Sequence, residues 1–70
     1  MTYLTTRERQ VLQLAAEGLT ARAIGRRLGV GGRTVETHLR HAYAKLRVTC
    51  RVRAVLAARD AGLIGDGATP

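Results

Sequence analysis

The chain has no Trp, Phe, Ser or Asn and a single Cys, and each absence narrows what it can be. Without aromatic bulk beyond Tyr3 and Tyr43, the core must be built from Ala, Val, Leu and Ile, which suits closely packed helices. With no Ser, and with Cys50 unaccompanied by an orienting base, no nucleophilic triad can be assembled. One cysteine forms no intramolecular disulfide and has no Cys or His partner at zinc-site spacing, which fits a reducing, intracellular setting. No apolar run approaches the ~20 residues of a membrane span, and the basic-then-apolar order of a signal peptide is missing from the start. The expectation is a soluble, cytoplasmic protein without cofactor or metal and without enzymatic activity.

Acidic residues are also few: 5 stand against 12 Lys and Arg, giving a formal charge of +7 on 70 residues. Such a length holds one domain at most. The charge attracts polyanions, so nucleic acid is the first partner to consider, with a merely well-solvated basic surface as the bland alternative. Lys45 is the only lysine; the remaining cations are arginines, whose forked guanidinium matches phosphates and guanine edges.

What is present is a run of helical patterns separated by glycines. Between Leu4 and Glu17 the apolar Val11, Leu12, Leu14 and Ala15 share one helical face. Thr5 and Glu8 have capping-box spacing, and Gly18 suits a left-handed end. Thr20 caps a second helix of about two turns, with Ile24 and Leu28 on one face and Gly29 closing it. The stretch Gly29–Gly32 permits a sharp turn, pinned by a buried Val30. A third helix from about Gly32 to Leu46 places Leu39, Ala42 and Leu46 within about 40° of Val35. Its opposite face carries Arg33, Glu36, Thr37, Arg40, His41 and Ala44. Thr49 or Cys50 opens a fourth helix with Val52, Ala54, Val55, Leu56 and Ala58 as apolar contacts, ended by Gly62, after which Leu63 and Ile64 fold back. Residues 1–64 form the domain; residues 65–70 read as a tail.

The polar face of the third helix has the chemistry of a major-groove reader. Arg40 can donate in pairs to guanine, Thr37 can meet thymine or a mixed edge, and Glu36 can accept from a cytosine amino group if a neighbouring Arg offsets its repulsion from phosphates. Arg33, Lys45, Arg47, Arg51 and Arg53 cluster near the helix ends, where phosphate contacts would supply affinity and salt dependence without sequence choice. The amides opening the other helices could add phosphate contacts. His38 and His41 are three apart, yet no third metal ligand accompanies them, and His38 falls near the core boundary while His41 points outward.

The same residues resemble the LuxR-type, or GerE-like, helix-turn-helix domain of bacterial transcriptional regulators. The pieces are LTTRERQVL from Leu4, Thr20 after the first helix, AIGRRLGV from Ala23, RTVETHL from Arg33, AKLRV from Ala44, then Arg51, Ala54-Val55 and Gly62-Leu63-Ile64. Together they cover Leu4 to Ile64, and their order is more specific than any one of them. The resemblance implies an all-α, four-helix fold whose third helix is the recognition helix, acting alone or as the C-terminal output domain of a larger regulator, such as a response regulator. It assigns base contacts to Glu36, Thr37 and Arg40 and phosphate contacts to Arg33, Thr34, Lys45 and Arg51. It also implies a homodimer on double-stranded DNA through the fourth helix, at Val52, Val55, Leu56 and Arg59, and allows contact with RNA polymerase. Four positions depart from the family pattern: Gln10 replaces a second Glu, Ala23 an acidic cap partner, Gly31 a capping Ser, and Arg47 a terminating Gly. They bear on stability more than on the groove face.

Two rival functions fit parts of the pattern. A promoter-reading region of a sigma factor can begin with a similar RERQVL run, although the fourth amphipathic helix and the Gly62-Leu63-Ile64 ending argue against it. A protein-interaction module that has lost DNA binding would use the fourth helix and the basic surface on an acidic partner. A cationic bundle lying on anionic lipid is disfavoured by the glycine punctuation, which builds a compact fold.

Overall fold

A computed structural model of the chain describes residues 4–65. The order is α1 (Thr6–Ala16), α2 (Ala21–Leu28), α3 (Gly32–Leu46) and α4 (Arg51–Asp60), with no strand among the described residues. The expected all-α, four-helix architecture is present. The capping box is formed: Thr5 Oγ1 accepts from the Glu8 amide at 3.1 Å, and Glu8 Oε1 accepts from the Thr5 amide at 3.0 Å. Thr20 Oγ1 accepts from the Ala23 amide at 3.1 Å and so caps α2.

All four helices end through a left-handed residue. At three ends it is glycine, Gly18, Gly29 and Gly62; at the end of α3 it is Arg47, with φ of 58°. The amides of Arg47 and Val48 donate back to Ala44 O and Tyr43 O, the double bond pattern that satisfies terminal carbonyls. The geometry a glycine would adopt freely is therefore imposed on an arginine.

The core gathers Leu4, Val11, Leu12, Ile24, Val35, Leu39, Ala42, Ala54, Val55, Ala58 and Ile64, with Ala15 beside them. Leu46 and Val30, expected inside, are half-buried and pack against this core. On α4 the expectation needs correcting. Ala54, Val55 and Ala58 are buried, whereas Val52 and Leu56 are 67% and 53% exposed. At about 100° per residue, Val52 and Leu56 fall within about 40° of each other and away from the Ala54-Val55-Ala58 stripe, so one helix carries two apolar faces. Gly65, placed in the tail by sequence, donates its amide to Gln13 Oε1 at 2.7 Å; the rest of that tail, residues 66–70, lies outside the described residues.

Candidate nucleic-acid interface

The α2–α3 corner owes its closeness to a glycine that the sequence reading passed over. A Cβ on Gly25 would stand 2.5 Å from Val30 O and 3.2 Å from the Gly31 carbonyl carbon. Only a residue without a side chain lets the turn fold down onto α2, and Gly25 O in turn accepts from the Val30 amide at 2.9 Å. At the far side of this corner, a Cβ on Gly32 would lie 3.6 Å from the Arg22 Cα. The start of α2 therefore runs against the start of α3.

Helix α3 is held on one side by buried Val35, Leu39 and Ala42. Its other side leaves Arg33, Thr34, Glu36, Arg40, His41 and Ala44 exposed and Thr37 half-buried. The Thr37 hydroxyl donates to Arg33 O at 3.1 Å. Its proton is committed to the helix backbone, leaving the oxygen lone pairs and the methyl group for a partner. Glu36 and Arg40 line one open groove with Ala21, Leu39, Tyr43 and Arg51. The carboxylate thus shares its groove with two guanidinium groups, the compensation it needs near a polyanion.

Two of the four expected phosphate contacts are engaged inside the molecule. Lys45 Nζ is 2.7 Å from Glu8 Oε1, and an Arg51 Nη donates to Leu19 O at 2.5 Å. Arg33 and Thr34 stand exposed in the first turn of α3. Arg22, exposed in the first turn of α2, joins them along the edge where the two helix starts meet. Its place one residue beyond the start of a Thr-capped helix was the available signal.

The expected pairing residues also divide. Val52 and Leu56 are exposed, but Val55 is 7% exposed and belongs to the core. Arg59 is half-buried and lines a second groove with Ala15, Ala16, Arg51, Val52, Val55 and Leu56. His38 is half-buried and His41 exposed, and no group of three or more metal-ligating side chains occurs among the described residues.

The model of the luxR family of bacterial regulatory proteins matches residues 2–58. The chain belongs to that family. It is a helix-turn-helix DNA-binding domain, and the family is one of DNA-binding regulators and not of enzymes. The solved structure of the transcription factor GerE superposes with a TM-score of 0.84 at 31% identity, covering 89% of this chain and 92% of that one. A protein of Mycobacterium tuberculosis named as an HTH-type transcriptional regulator is 52% identical over 52 residues, 74% of this chain but 6% of its own length. The transcriptional activator protein SolR of Ralstonia solanacearum is 48% identical over 61 residues, 87% of this chain and 26% of SolR. The chain therefore spans a small part of these regulators. No helix among the described residues is long and apolar enough to cross a membrane.

Proposed function

We propose that the chain reads a specific double-stranded DNA sequence by laying α3 in the major groove, as the cytoplasmic output domain of a transcriptional regulator. The observation that carries this is the division of α3: Val35, Leu39 and Ala42 are buried on one face while Arg33, Thr34, Glu36 and Arg40 are exposed. A B-form major groove admits such a helix. Arg40 donates to guanine, Thr37 offers its methyl and lone pairs, and Glu36 accepts from a cytosine amino group. Arg33, Thr34 and Arg22 bind phosphates at the edge where α2 and α3 begin. Two copies pair on DNA through Val52 and Leu56, whose side chains are left exposed by the described residues. Paired half-sites then follow from paired protein.

The test is selection of bound sites from random duplex DNA by the wild-type domain and by Arg40→Ala, with affinities at two salt concentrations. An enriched motif that loses one base preference in the variant, worth about 1–3 kcal/mol of discrimination, supports the reading. Salt-sensitive binding without a motif would instead make the basic surface a non-specific one.

A further inference from the structure

We infer that Arg51 is a positioning residue that links pairing through α4 to base readout by α3, and not a phosphate contact. The proposal rests on the reading above and deepens it. Arg51 is the first residue of α4. Its half-buried guanidinium crosses to the corner between α1 and α2 and donates to Leu19 O at 2.5 Å. Leu19 is fixed from its other side, because its own amide donates to Leu14 O at 3.3 Å, and it immediately precedes Thr20, the cap of α2. The bond thus ties the start of α4 to the residue from which the helix-turn-helix departs.

The same side chain borders both functional surfaces. It lines the groove that holds Glu36 and Arg40 on α3 and the groove beside the exposed Val52 and Leu56 on α4. Among the described residues no other lines both. A second copy pressing on Val52 and Leu56 acts on the helix turn that carries Arg51, and any displacement there reaches Leu19 and the Glu36–Arg40 groove through one hydrogen-bonded group. Conversely, drawing the guanidinium out to a phosphate would give up its bond to Leu19 O. Coupling needs such a shared element whose position both sites influence.

The experiment uses the domain with Arg51→Gln and Arg51→Lys, binding duplexes that carry one or two copies of the selected half-site, plus a duplex mismatched at the Arg40-read base. Circular dichroism at the binding temperature verifies that each variant is folded, and Arg51→Lys, which keeps the charge and one donor, carries the test should the Gln variant unfold. Three quantities are read: the slope of log affinity against log salt, the discrimination against the mismatch, and the cooperativity on two half-sites.

The expected result is an unchanged salt slope in both variants with cooperativity and discrimination each falling roughly fivefold or more, less in Lys than in Gln. A slope smaller by about 1 would reveal a phosphate contact and overturn the proposal. Variants that match wild type in all three quantities would overturn it equally. Failure of the underlying reading looks different: the wild-type domain itself would then show no motif.

Discussion

Lys45 Nζ in the last turn of α3 lies 2.7 Å from Oε1 of Glu8 in the first turn of α1, and the same oxygen accepts from the Thr5 amide. One carboxylate thus completes a helix cap and fastens the far end of the recognition helix to α1. Burial works to raise the Glu8 pKa, but the hydrogen bonds from Lys45 and Thr5 and the Lys45 charge together outweigh it, leaving the value lowered. With a depressed folded-state pKa, the contribution to stability is complete above the ordinary glutamate range. It is lost as pH falls from about 4.5 through the lower folded value. Urea unfolding of wild type and Glu8→Gln across that range should show a steeper acid decline in wild type. Lys45→Met, which leaves the carboxylate without its cation, should cost about 1–2 kcal/mol at neutral pH, discounted because the ammonium is partly solvated. Parallel acid limbs in wild type and Glu8→Gln would contradict the assignment.

Arg47 offers the opposite experiment, a substitution that should stabilise. Its φ of 58° is left-handed, where a Cβ is penalised and glycine is not. Arg47 is also exposed and gives up no packing. Arg47→Gly is expected to raise unfolding free energy by about 1 kcal/mol, the relief of strain exceeding the added entropy of the unfolded chain. Gly31→Ser should add only a few tenths, since glycine is already a tolerable cap and a Cβ there meets nothing within 4 Å. Denaturant midpoints of the two variants, at unchanged m, check both the sign and the order.

The contrast between these positions explains what could be read from the chain alone. Helix ends were legible because they are local: Thr5, Glu8, Thr20, Gly18 and Gly29 act on residues within a few positions, and all are used as their chemistry requires. The face of α3 was legible because its period separates Val35, Leu39 and Ala42 from Glu36 and Arg40. What was hidden depends on distant chain segments. Lys45 and Arg51 look like free surface cations until Glu8 and Leu19, 37 and 32 residues away, are brought to them. On α4, Val52, Val55 and Leu56 are alike as apolar residues, and only the packing of α4 against the rest of the fold selects Val55 for burial.

Gly25 tests the closeness of the helix-turn-helix corner. Alanine is a better helix former, yet its Cβ would meet Val30 O at 2.5 Å, a backbone atom that cannot swing aside. Gly25→Ala should therefore destabilise by about 1–3 kcal/mol, as overpacking does, and should weaken base discrimination by shifting the start of α3. A domain as stable as wild type, measured by urea unfolding, would mean the corner has slack that the geometry denies.

The last prediction separates the two apolar faces of α4. Val55→Asp places a charge in the core and should cost about 3 kcal/mol or more, a large share of the stability of so short a chain. It would abolish DNA binding by unfolding and so says nothing about pairing. Leu56→Asp, at a position 53% exposed, should change stability by no more than about 0.5 kcal/mol. Because Leu56 with Val52 forms the uncovered face, the variant should bind a single half-site as wild type does and lose cooperativity on two. Affinity titrations on one-site and two-site duplexes, alongside thermal unfolding, give both readouts from the same preparations. If Leu56→Asp kept full cooperativity while folded, pairing would have to run through another surface, and the exposure of Val52 and Leu56 would need a different occupant.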